Sequence, residues 1–116
     1  MTISMIKESD IQRTILEYLY NFVDGYFWRN NNGAVYDPSK KLFRANNSIW
    51  TPKGISDILG IYQTKLVAIE VKRPKCYPTK EQKIFLNTIN EQGGIAFVAR
   101  GIEDVQREFG LHQRNH

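Results

Sequence analysis

The chain has a single cysteine, Cys76, so no intrachain disulfide can form. A domain of this size can bury a core without one, and the lone cysteine is consistent with a reducing compartment. No apolar run approaches the ~20 residues needed to span a bilayer. The N-terminus lacks the basic-then-apolar layout of a secretory leader, because Glu8 and Asp10 come too early. The expectation is a cytoplasmic protein with no membrane partner. Glycine-rich loops of the Walker or dinucleotide type are missing as well. The two histidines, His112 and His116, lie in a tail from Leu111 that is expected to fray, which leaves neither as a candidate ligand. Cys76 has no histidine near it in sequence and follows a basic turn, so it reads as a loop thiol. Repeats, low-complexity segments and interdomain linkers are absent, and residues 1–116 read as one domain.

What is present is ordinary in amount and uneven in placement. Hydrophobic residues make up 41% and charged residues 24%, values typical of a globular domain. The net charge is +4, but ten Lys or Arg and only three acids lie between Lys40 and Lys83, while the rest of the chain carries six basic and nine acidic residues. A basic stretch of this kind suits a polyanion, and it equally describes a solvated lysine-rich face.

The apolar positions Ile11, Ile15, Leu16, Leu19, Phe22 and Val23 predict a helix over 6–23, stopped at Asp24-Gly25. Tyr26-Phe27-Trp28 predicts a short strand and Asn30-Asn31-Asn32-Gly33 a turn. Residues 34–53, broken by Pro38 and Pro52, read as a long connection or a weak hairpin. Strands are expected over 56–62 and 66–72, joined through Gln63-Thr64-Lys65 as an antiparallel hairpin. Pro74 to Pro78 breaks the pattern. Thr79 and Gln82 have capping-box spacing at the start of a helix that ends at Gly93-Gly94. Ile95 to Ala99 is a strand reached through that helix, which favours parallel pairing. A last helix is expected over 102–109. The class is α/β, a mixed central sheet flanked by helices.

The chemistry concentrates in Leu66-Val67-Ala68-Ile69-Glu70-Val71-Lys72. Alternation along a strand puts Val67, Ile69 and Val71 on one face and Glu70 with Lys72 on the other. Charges leaving an apolar strand side by side are costly unless they pair, bind an ion or meet solvent at the strand end. Asp57, in Gly54-Ile55-Ser56-Asp57-Ile58, strengthens the ion-binding reading, although aspartate after glycine is also a common turn residue. A hairpin whose partners sum to about 128 would set Asp57 near residue 71. Two carboxylates converging at a sheet edge suit Mg²⁺. Phosphodiester hydrolysis would employ them all: Asp57 and Glu70 as ligands, the Val71 carbonyl as a further oxygen, and Lys72 to orient the attacking hydroxide and offset transition-state charge.

Asp57, a gap of twelve residues and then Glu70-Val71-Lys72 resemble the signature of the PD-(D/E)XK nucleases. With Glu8-Ser9-Asp10-Ile11-Gln12, Trp28-Arg29-Asn30-Asn31, Gly54-Ile55-Ser56-Asp57-Ile58, Ile69-Glu70-Val71-Lys72-Arg73, Thr79-Lys80-Glu81-Gln82 and Gly93-Gly94-Ile95-Ala96-Phe97-Val98 in order, the chain resembles a stand-alone VRR-NUC domain. That resemblance implies a restriction-endonuclease-like core and Mg²⁺- or Mn²⁺-dependent cleavage of DNA, with branched or Holliday-junction DNA as substrate and a homodimer as the acting form. It implies a bacterial or phage-infected host. It further implies that Glu8, in a Glu-x-x-x-Gln pattern with Gln12, adds an acid to the site, and that Gln82 joins it. Glu8 also suits a first-turn acid and Gln82 a helix cap. Lys53 stands where the family usually has proline, and Pro52 one place earlier. Arg29, Lys53, Arg73, Lys75 and Lys80 are the candidate DNA contacts. Trp28 and Trp50 are candidates to stack on bases, though aromatics more often pack in cores. Tyr36, Leu42, Phe43, Ile49 and Trp50 are candidates for a dimer contact or for a loop folded onto its own core. The alternative function is a catalytically silent DNA-binding module on the same fold; a nicking or restriction-type enzyme with sequence preference is a third reading.

Overall fold

A computed structural model of the protein describes residues 6–30, 35–37, 39, 42–44 and 49–110. Helix α1 (Glu8–Phe22) is followed by strand β1 (Tyr26–Arg29), then β2 (Val35–Asp37) and β3 (Leu42–Arg44), then β4 (Ile58–Tyr62) and β5 (Lys65–Val71). Helix α2 (Lys80–Glu91), strand β6 (Ile95–Ala99) and helix α3 (Ile102–Phe109) complete the described elements. The main sheet has the order β1-β4-β5-β6, antiparallel except for the parallel β5–β6 pair, and β2 and β3 form a separate antiparallel hairpin. The α/β class and the mixed sheet flanked by helices are as expected from the sequence. Within the irregular stretch, the described residues 35–37 and 42–44 pair as in the hairpin alternative.

The alternation read from β5 sorts the layers. Val67, Ile69 and Val71 join Ile58 and Tyr62 of β4, Ala99 of β6, Ile11, Ile15 and Leu19 of α1, and Val105 and Phe109 of α3 in one core. Phe109 is its hub, with Tyr62, Phe27 and Phe97 rings 4.7, 6.0 and 6.1 Å away in edge-on contacts, a geometry aromatic pairs prefer. The opposite face carries a smaller core, Ala68 and Ala96 under Leu86 of α2, with Leu59, Phe85, Ile89 and Val98 around it.

Helix α2 is held at both ends. Thr79 Oγ1 accepts from the Gln82 N–H (3.2 Å), and Gln82 Oε1 accepts from the Thr79 N–H (2.8 Å), the capping box expected from the sequence. Near its other end the Asn90 amide donates to the Ala96 carbonyl and accepts from the Ala96 N–H, both at 2.9 Å. This pair blunts the outer edge of β6.

The register differs from expectation by one residue. Ile58 pairs with Ile69 and Tyr62 with Lys65, so partners sum to 127 and the turn is only Gln63-Thr64. Both turn residues have positive φ, 49° and 66°, as a two-residue hairpin turn with the twist of its strands requires. Strand β4 also starts at Ile58 rather than Ser56, which leaves Asp57 just outside it.

Candidate active site

The corrected register brings Asp57 opposite Glu70. Asp57 Oδ2 accepts from the Val71 N–H at 2.9 Å, and the Asp57 carbonyl accepts from the Asn30 N–H at 2.7 Å. The aspartate thus ties β1 to the end of β5 and is fixed on both sides. The loop before it is positioned by Gly54, whose φ is 72°. A Cβ there would lie 2.5 Å from the Glu81 carbonyl carbon and 2.6 Å from the Gln82 nitrogen. Only glycine lets this loop meet the first turn of α2, in a backbone region that side chains disfavour.

Glu70 lies on the α2 face of β5 and is only 2% exposed. Its Oε2 is 3.8 Å from Lys72 Nζ, while its Oε1 is buried and has no hydrogen-bond partner. The carboxyl, ordinarily near 4.5, is pushed up to about 8. Burial is the largest cause, followed by the Asp57 charge and by the proton that a protonated Glu70 could share with the Asp57 carboxyl; Lys72 opposes the shift and Glu8 adds to it. A buried carboxylate oxygen without a partner is an unfavourable arrangement in a folded chain. A divalent cation held between Asp57 and Glu70 would satisfy that oxygen and offset the repulsion, and two hard carboxylate donors are what Mg²⁺ or Mn²⁺ prefers.

The sequence-predicted residues do not all converge. Asp57, Glu70 and Lys72 do, with Val71 between them in contact with Asp57. Glu8, half-buried on the first turn of α1, is felt by Glu70 electrostatically. Among the described residues, however, no three His, Cys, Asp or Glu side chains gather closely enough to hold a metal. Gln82 has its carbonyl oxygen committed to the cap. Lys53 is exposed beside Gly54, and Lys80 is exposed on the α2 turn that Gly54 meets. Arg73 and Lys75 occupy the turn after β5, closed by the Cys76 N–H donating to the Arg73 carbonyl at 3.0 Å. Arg29 leans the other way and donates to the Ser9 carbonyl at 3.3 Å, joining β1 to α1. Cys76 is a half-buried free thiol. Ile49 and Trp50 are 85% and 87% exposed. The side chains of Tyr36, Leu42 and Phe43, and all of His112 and His116, lie outside the described residues. Among the described residues no helix is long and apolar enough to cross a membrane.

Sequence reasoning missed one contributor. Arg100, at the end of β6, donates to the Cys76 carbonyl at 2.6 Å and sits 5.1 Å over the Tyr77 ring. It straps the turn that carries Lys72, Arg73 and Lys75. Its own N–H is accepted by Asp104 at 2.8 Å, and that bond together with Arg107 holds the Asp104 carboxyl below the usual carboxylate range. Nothing local in the sequence points to Arg100. Ser56, immediately before Asp57, is fully buried with its hydroxyl unpartnered. No protein-family model matches the chain, and neither does any curated protein or solved structure.

Proposed function

We propose that the protein is a metal-dependent endonuclease that hydrolyses phosphodiester bonds in DNA, with Asp57, Glu70 and Lys72 as its centre. The observation that carries this reading is the unpartnered, buried Glu70 Oε1 beside a second carboxylate, with an ammonium 3.8 Å from the other Glu70 oxygen. A silent DNA-binding module has no use for such a pair, because two carboxylates next to a phosphate repel it unless a cation lies between them.

Asp57 and Glu70 would hold the ion, with the Val71 carbonyl and, through water, Glu8 as candidate further donors. When bound, Mg²⁺ or Mn²⁺ supplies a Lewis acid for the phosphate and acidity for water. Lys72, held in the mouth of the site by its own ion pair, orients the nucleophilic water and balances charge on the phosphate in the transition state. Lys53, Arg73, Lys75 and Lys80 border the site as backbone contacts that position DNA without reading its sequence. Gln82 keeps its capping role, and its amide nitrogen is left to approach a phosphate. The restriction-endonuclease-like core belongs to this reading, as does a preference for branched DNA.

The test is cleavage of a panel of linear, flapped and four-way DNA substrates with Mg²⁺, with Mn²⁺ and with EDTA. The expected result is metal-dependent cutting abolished in Asp57→Asn. No cutting of any substrate with either ion would overturn the proposal.

A further inference from the structure

The half of the sheet that α2 leaves uncovered lies on the same face as Asp57 and Glu70. The register places its residues in rows. Trp28 pairs with Leu59 and Leu59 with Ala68; Tyr26 pairs with Ile61 and Ile61 with Leu66. The row above begins at Asn30, whose N–H is bonded to Asp57, and continues through Asp57 to Glu70. Same-face neighbours along a strand are about 6.7 Å apart and adjacent strands about 4.8 Å. The Trp28 backbone is therefore about 8 Å from that of Asp57, with Tyr26 one step further out. Phe27 turns the other way into the core against Phe109. Tyr26 and Trp28 touch, with ring centroids 5.7 Å apart and planes tilted by 52°. Together with Ile61 and Leu66 they form an apolar strip: Tyr26 is 72% exposed, Ile61 49%, Leu66 42% and Trp28 39%.

We propose that this strip is a stacking platform for unpaired nucleic-acid bases, continuous with the phosphate-cutting site; the inference rests on the nuclease reading. A polynucleotide with one phosphate at Asp57 and Glu70 must run onward from it. In the direction of β1 it meets two aromatic rings at successive same-face positions. Bases offer their π faces to such rings only when they are out of a duplex stack, and stacking of this kind is tolerant of sequence. The site lies within the basic stretch of ten Lys or Arg against three acids, and those cations complement the backbone of such a strand. The class of substrate that fits is DNA with an unpaired segment at the cut, such as a flap or an opened branch.

The test is binding of dye-labelled oligothymidine and of a blunt duplex of equal length in EDTA. Wild type is compared with Tyr26→Leu, Trp28→Leu and Trp28→Phe. The expected result is about ten-fold or greater weakening of single-strand binding in each Leu variant, recovery in Trp28→Phe, and a change of less than about two-fold for duplex, where these rings contribute no stacking. Equal loss on both ligands, or no loss, overturns the proposal. A Trp28→Leu protein that turns monomeric, or that melts earlier while binding normally, assigns the strip instead to a second copy or to the chain's own hairpin, and overturns it too. Because binding is read without metal, a wild type that binds single strands through the strip but cuts nothing with Mn²⁺ sinks the nuclease reading alone. Normal cutting with no effect of the aromatics sinks the platform alone.

Discussion

At the scale of single residues, the nuclease proposal predicts that Lys72 separates binding from chemistry. Lys72 is one of ten cations in the basic stretch, so Lys72→Ala should weaken DNA affinity only a few-fold, as expected for one phosphate contact among several. In the proposed mechanism its contact with the reacting phosphate would have no substitute, and cleavage should fall by ~100-fold or more. Single-turnover rates at saturating protein distinguish the two; a wild-type rate would remove Lys72 from the mechanism.

Glu70 bears on stability as well. Its carboxyl is raised in the folded chain from about 4.5 to about 8, so the fold binds the proton more tightly than the unfolded chain does. The corresponding stabilisation is complete below pH 4.5 and is lost as pH rises through 8. The loss is on the order of a few kcal/mol, because each tenfold difference in proton affinity between the two states is worth about 1.4 kcal/mol. Metal-free wild type should therefore melt progressively lower between pH 5 and pH 8.5, by more than Glu70→Gln, which keeps the shape without the charge. Thermal melts in EDTA at several pH values check this, and parallel pH profiles for the two proteins would exclude Glu70 as the source. Mn²⁺ should restore the wild type at high pH and leave the Gln variant unmoved.

At the scale of elements, the contact between Gly54 and α2 sets the position of Asp57. Gly54→Ala combines a disfavoured φ with a backbone clash, and the loop must move to relieve it. Mn²⁺ affinity by calorimetry should drop ten-fold or more, a cost of at least about 1.4 kcal/mol, with the rest of the sheet retained. Unchanged affinity would mean that the loop does not hold the ligand. Asn90→Ala removes both bonds to Ala96 on a sheet edge and should cost about 1–3 kcal/mol, read as an earlier thermal midpoint with Mn²⁺ affinity intact.

The same elements show what the sequence made legible. The capping box, the parallel β5–β6 pair and the two faces of β5 follow from local patterns: Thr79 with Gln82, a helix-length crossover, and strict alternation from Leu66 to Lys72. The register slipped by one because Gln63 and Thr64 both take positive φ without being glycine or asparagine. Turn chemistry therefore gave no sign that the loop holds two residues rather than three. Spacing brought Asp57 to the end of the motif strand but opposite residue 71; the observed register, shorter by one residue, sets it opposite Glu70 and on the same face. Arg100 was invisible, since its partners Cys76 and Tyr77 lie more than twenty positions away and only tertiary packing brings them together.

At the scale of the whole molecule, the proposed Asp57–Glu70–Lys72 centre would cut one strand per encounter, whereas symmetric resolution of a branched duplex needs two cuts. A C₂ pair supplies two centres related by the symmetry that a four-way junction also has. The exposed Ile49 and Trp50 lie just ahead of the loop that carries Asp57, on the chain's approach to the site, and their apolar surface is a candidate contact with a second copy. Homodimers are therefore expected at micromolar concentration, and Ile49→Asp should shift the mass toward monomer while leaving Mn²⁺ binding at Asp57 and Glu70 unchanged. Paired nicks at a junction should then decouple: the variant still nicks one strand but loses coordinated cutting of the opposite strand within the lifetime of one complex. Light scattering reports the mass, and a supercoiled cruciform plasmid reports the coordination, since uncoupled cuts accumulate nicked circles before linear product. A wild type that scatters as a monomer yet linearises the cruciform without a nicked intermediate would defeat the dimer, and equal rates on linear duplex and junction would defeat the preference for branched DNA while leaving the hydrolytic centre in place.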